Sequence, residues 1–115
     1  MNLNEYQREA MRTAGSMNYD HSPMLLNGVL GMAGEAGECA DLVKKHLFQG
    51  HELDRAHLAE EIGDVLWYVA VAAQSIGWTL EGIAQGNVQK LRRRYPEGFD
   101  AQRSVHREEN EHEEV

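Results

Sequence analysis

The sequence predicts an all-α fold, and three observations carry that prediction. No stretch alternates apolar and polar residues with the period of a half-buried strand. Apolar residues instead recur at three- and four-residue spacing in runs such as LNEYQREAM and AEEIGDVLWYVAVAA. Only two of the 115 residues are prolines, and Pro23 and Pro96 both stand where a helix can begin or end. A chain of this length has room for one core, so a single domain is expected over residues 1–103.

The first helix is expected from about Leu3 to Ala14, with Leu3, Tyr6, Ala10, Met11 and Ala14 on one stripe. Gly15 to His21 interrupts it. The second opens with Ser22 as N-cap and Pro23 at the first helical position, and Gly50 closes it after about Phe48. Asp54 caps a third helix that extends to about Ile76, before Gly77. Thr79 caps a fourth, with Glu81 in its first turn and basic residues crowding its last turn ahead of Pro96. Gly28, Gly31, Gly34 and Gly37 recur at three-residue spacing inside the second helix. Each costs roughly 1 kcal/mol relative to alanine in a helix interior. Such a stripe implies close approach of something to that face: a packed helix, a ligand beside the neighbouring glutamates, or both.

Composition narrows the function classes. The chain is 42% hydrophobic and 26% charged, as a globular protein is, and no apolar run is long enough for a membrane span. The N-terminal MNLNEYQREAMRTAG carries acids and has no continuous apolar stretch, so no secretory signal is expected. One cysteine, Cys39, cannot form an internal disulfide, which fits a reducing, cytoplasmic setting. Of the net charge of −8, half sits in residues 104–115, SVHREENEHEEV, an expected disordered tail. KLRRRYP, residues 90–96, concentrates four of the eleven basic residues. That cluster is too compact for a nucleic-acid footprint and suits a small anionic ligand.

Two helices carry the same unusual feature. On a helix turning roughly 100° per residue, Leu42 falls about 20° to one side of Glu35 and Cys39 about 40° to the other, with Glu38 about 60° away. The third helix repeats this with Tyr68 and Val65 flanking Glu61, and Asp64 in the place of Glu38. Each helix thus sets an i, i+3 carboxylate pair at the border of its apolar stripe. If the stripes pack together, four carboxylates converge, and like charges so close cannot all stay ionised. A hard divalent cation resolves the conflict, and facing i, i+3 pairs suit Mg²⁺, with Mn²⁺ as the alternative. His46, His51 and His57 share no helical face and are expected at the surface.

The residues in sequence, Glu35-x-x-Glu38, Glu61-x-x-Asp64 within EEIGDVLWYV, then Asn87-x-x-Lys90 and RRYP, resemble the MazG-like all-α nucleoside triphosphate pyrophosphohydrolases. The all-α dUTPases, dCTP pyrophosphatases and phosphoribosyl-ATP pyrophosphatases are kin to that group. The likeness covers about residues 22–100 and implies a four-helix, bundle-like fold assembled as a homodimer or tetramer. It also implies hydrolysis of a nucleoside triphosphate between the α and β phosphates, giving a monophosphate and pyrophosphate. By the same likeness Glu35, Glu38, Glu61 and Asp64 are Mg²⁺ ligands, with Glu35 and Glu38 catalytic. Asn87, Lys90, Arg94 and Tyr95 match the substrate-binding segment. The chain departs at Gly34, where many members carry a further acid. The general base is therefore open between Glu38 and Glu60.

The bottom-up chemistry agrees. A triphosphate would be repelled by four bare carboxylates, and a bound cation inverts the local field and acidifies a coordinated water. Trp67, Tyr68 and Trp78 are the aromatic candidates for stacking on a base, each also a candidate for the core. A homo-oligomer is expected from the residues as well, because Ile62, Val65, Leu66, Trp67, Val69, Val71, Ala72 and Ile76 spread round most of the third helix. Two other classes stay open: a nucleotide- and metal-binding module without turnover, and a helical interaction protein whose carboxylates pair with Lys44, Lys45 or the arginines.

Overall fold

The structure, a computed structural model, describes residues 1–14 and 22–107. Among these residues the elements are α1 (Leu3–Met11), α2 (Ser22–Phe48), α3 (Arg55–Ser75), α4 (Leu80–Arg94) and α5 (Ala101–Val105), with no strand. The break expected at Gly15 to His21, and residues 108–115 of the acidic tail, lie outside the described residues. The chain divides into two compact units, Met1–Leu80 and Glu81–Val115.

In the first unit α2 and α3 form a long antiparallel hairpin. The glycine stripe explains half of its register. A Cβ built on Gly28 would stand 2.8 Å from the Ala72 nitrogen, and one on Gly31 would run into the Tyr68 ring. Gly34 and Gly37 meet nothing within 4 Å. The stripe therefore serves close packing over its first two members and borders open space over its last two. The turn between the helices uses Gly50 at φ 73°, with the N–H groups of Gln49 and His51 both donating to the Lys45 carbonyl. Asp54 caps α3 as expected, its Oδ1 accepting from the His57 N–H at 3.0 Å.

α1 lies on α3. It ends at Met11, earlier than expected, and turns through to a buried Ala14. Its cap is Asn2, whose side chain accepts from the Glu5 N–H and donates to the Glu5 carboxylate, both at 2.8 Å. Trp67 donates from Nε1 to the Ala10 carbonyl and the Thr13 hydroxyl. Gln7, only 5% exposed, donates to Gln74 Oε1 and the Trp78 carbonyl and accepts from the Leu80 N–H at 2.8 Å. Gln7 thus satisfies the first N–H of α4 from the far end of the unit's sequence. The core beneath is made of small side chains, Ala10, Ala70 and Ala73, with Leu80. It is thin.

In the second unit α5 supports the end of α4. Asp100 caps α5, accepting from the N–H groups of Gln102 and Arg103. Arg103 then donates to the carbonyls of Arg94 (2.6 Å) and Arg93 (3.3 Å), which are among the orphan acceptors of the α4 C-terminus. The Tyr95 and Phe99 rings pack at 5.4 Å between these helices, with Gly98 at φ 93° allowing the chain to turn.

Candidate functional site

The register that sets Gly28 on Ala72 carries forward about two turns along α2 and back two to three turns along α3. It brings Glu35 opposite Glu61 and Asp64. Each of the three offers a carboxylate oxygen, and the three oxygens lie within 4.8 Å of one another. Glu35 and Glu61 are half-buried and Asp64 is exposed. Glu38, one turn beyond Glu35, stays exposed and outside that triad.

Two carboxyl groups can share a hydrogen bond only when one holds a proton. The Glu35 carboxyl is raised above its ordinary pKa, first by its hydrogen bond with Glu61 and then by partial desolvation. The charges of Glu61, Asp64 and Glu38 add to this in the same direction. The crowding thus raises proton affinity at the place where a cation would bind. An all-oxygen set of this kind, crowded with anions, fits a hard divalent ion.

The neighbouring lysines pair first with Asp41, and Lys45 also feels the charge of Glu38. Lys45 Nζ lies 2.9 Å from Asp41 and Lys44 Nζ lies 3.4 Å from it. Asp41 is held below its ordinary pKa, chiefly by the hydrogen bond from Lys45. Direct pairing of Lys44 and Lys45 is thus with Asp41, and a purely structural reading keeps the longer-range attraction of Lys45 to Glu38.

One further residue reaches the cluster and another feels its charge. His57 Nε2 lies 3.2 Å from Glu61 Oε1. Sequence reasoning placed His57 simply at the surface, although its i, i+4 spacing to Glu61 already put both on one face. Tyr6 of α1 has its hydroxyl pKa raised, mainly by desolvation and secondarily by the charge of Asp64. No spacing along the chain could have signalled that approach.

Of the aromatic candidates, Trp67 is committed to α1 through its Nε1 bonds, and Tyr68 stands edge-on to it at 5.0 Å while covering Gly31. Trp78 is exposed and lines a surface pocket of about 270 Å³ with Asn4, Gln7, Arg8 and Gln74. Asn87 and Lys90 lie on α4, Arg94 is its last residue and Tyr95 follows, all in the second unit. Gly34 faces open space, and Glu60 is exposed. No helix among the described residues is long and apolar enough to cross a membrane.

Fold and site together define the class: an all-helical protein with an acidic centre between two antiparallel helices. The family model of the MazG nucleotide pyrophosphohydrolase domain matches residues 26–99, and the chain belongs to that family. It is also similar to the Gene 37 protein of Mycobacterium phage L5, 36% identical over 105 residues, covering 85% of this chain and 92% of that protein. No solved structure matches the chain significantly.

Proposed function

We propose that this protein hydrolyses nucleoside triphosphates between the α and β phosphates, releasing a nucleoside monophosphate and pyrophosphate. The observation that carries the reading is the convergence of Glu35, Glu61 and Asp64 from facing helices in a chain of the MazG family. Glu38, on the same edge of α2, is the fourth carboxylate of the set. When bound there, Mg²⁺ or Mn²⁺ would supply positive charge for the phosphate oxygens and acidify a water.

In the reaction a water oxygen adds to one phosphorus of the α–β anhydride as the bridging P–O bond breaks. The water proton goes to a carboxylate: Glu38, open to solvent and outside the triad, is the first candidate, with exposed Glu60 as the alternative, while Glu35 acts beside them as a ligand at the reacting centre. Asn87, Lys90, Arg94 and Tyr95 are assigned to substrate binding on the family motif. Residues 1–103 carry the working domain in a cytoplasmic enzyme; the tail expected from Ser104 begins inside α5, which ends at Val105, so the dispensable part is the acidic stretch beyond Arg107.

The working unit is a homo-oligomer, a dimer or tetramer. Leu26, Leu30, Leu47 and Ile62 are 55–67% exposed along the hairpin, an apolar surface that a second copy would cover. Light scattering at micromolar concentration tests this, and a clean 13.0 kDa species with full activity would rule it out.

A panel of canonical and damaged (d)NTPs with Mg²⁺, assayed for pyrophosphate, tests the activity. The bare position at Gly34 favours a second reading, a module that binds nucleotide and metal without turnover. Calorimetric binding with no pyrophosphate release from any member of the panel would select it.

A further inference from the structure

We propose that His57 is a positioning residue for the cation centre, holding the Glu61 carboxylate in the orientation in which it meets Glu35 and Asp64. The inference rests on the reading of those carboxylates as a cation site and assigns that site a supporting residue.

The geometry forms a relay from the start of α3 to the centre. Asp54 caps the helix by accepting from the His57 backbone N–H at 3.0 Å, which fixes His57 in the first turn. The His57 ring then reaches along the helix, one turn on, to Glu61 Oε1 at 3.2 Å. A carboxylate only accepts, so Nε2 is the nitrogen that carries the hydrogen in this bond. Glu61 is the more enclosed partner, its side chain 18% exposed against 47% for His57. A solvent-facing His–Glu pair contributes little to folding stability. Its consequence lies instead in fixing the rotamer of a carboxylate that has to converge with two others from a flexible stem. Groups that hydrogen-bond to metal-ligating side chains commonly change metal affinity ten- to a hundredfold.

The test is Mn²⁺ binding by the full chain at one fixed pH, followed by electron paramagnetic resonance and calorimetry. The variants are His57→Ala, His57→Leu, His57→Gln and Glu61→Gln. Both donor-free variants should bind Mn²⁺ about ten- to a hundredfold more weakly, with helicity and melting temperature as in wild type. His57→Gln, which keeps an N–H at similar reach, should recover most of the affinity. Donor-free variants that bind as wild type does, while Glu61→Gln has lost the ion, would overturn this inference alone. A His57→Gln variant as weak as His57→Ala would overturn it too, because a hydrogen bond would then not be the cause. Glu61→Gln binding at wild-type strength, or no binding by wild type, would bring down the cation site itself and this inference with it.

Discussion

Gly28 of α2 lies so close to Ala72 of α3 that a Cβ would stand 2.8 Å from the Ala72 nitrogen. The obstructing atom is helix backbone, which cannot swing aside as a side-chain tip can. Gly28→Ala should therefore destabilise the fold by about 1–3 kcal/mol despite alanine's better helix propensity. Gly34→Ala, with nothing within 4 Å of the new Cβ, should stabilise by up to about 1 kcal/mol. Urea unfolding of the pair checks the contrast. The same sign for both would mean that the glycine stripe does not divide as described.

The raised pKa of Glu35 links stability to pH with a definite sign. A carboxyl whose folded pKa lies above its ordinary 4.5 contributes fully below that value and loses its contribution as pH rises through the folded pKa. The metal-free protein should accordingly melt at a higher temperature at mildly acidic pH than at neutral pH, as far as this group is concerned. Glu35→Gln should flatten that dependence, and saturating Mg²⁺ should raise the neutral-pH melting temperature. Differential scanning calorimetry in chelator and in Mg²⁺ measures both. An unchanged slope in Glu35→Gln would remove Glu35 as its source.

Replacing one anion of the set should separate activity from folding. Asp64→Asn and Glu38→Gln are expected to lower Mg²⁺-dependent turnover by at least about a hundredfold. The metal-free melting temperature should hold or rise, because each change relieves repulsion. Pyrophosphate release and calorimetry on the same preparations decide it, and wild-type turnover in both variants would sink the metal assignment.

Gln7 makes three hydrogen bonds from a buried position, one of them to the first N–H of α4. Gln7→Leu keeps the volume but leaves the Leu80 N–H and Trp78 carbonyl without their partner. A loss of about 1–3 kcal/mol is expected, read by denaturant unfolding. A neutral result would mean that water or a shifted side chain takes over both groups.

Removing residues beyond Arg107 should leave melting temperature and activity as they are, since EENEHEEV offers almost nothing apolar to bury. A cut after Gln102 is different. It takes away Arg103, which binds the carbonyls at the end of α4, and should loosen that end. Hydrogen exchange at Arg92 to Tyr95 would report the difference between the two truncations.

Much of the site was legible because its signals are local. The i, i+3 pairs Glu35/Glu38 and Glu61/Asp64 stand at the edge of apolar stripes, and helical periodicity shows that without any knowledge of packing. His57 was equally local, four residues before Glu61, but as a lone exposed histidine it carried no mark of its partner until the ring's direction was known. The hydrogen bonds of Gln7 and the influence of Asp64 on Tyr6 were not legible at all. Both depend on α1 meeting residues more than fifty positions away.

The sequence by itself determined that the chain is helical, where α2, α3 and α4 begin and end, and which carboxylates border an apolar face. Caps, prolines and periodicity act within a few residues, so they can be read in order along the chain. Only the tertiary structure decided the α2–α3 register, and with it which oxygens meet. Gly28 against Ala72 and Gly31 under Tyr68 admit the two backbones at one offset, and that offset sets Glu35 against Glu61 and Asp64 while leaving Glu38 outside. Helical periodicity fixes a face to within a turn but says nothing of how far one helix slides along another; steric fit between the two surfaces selects that distance.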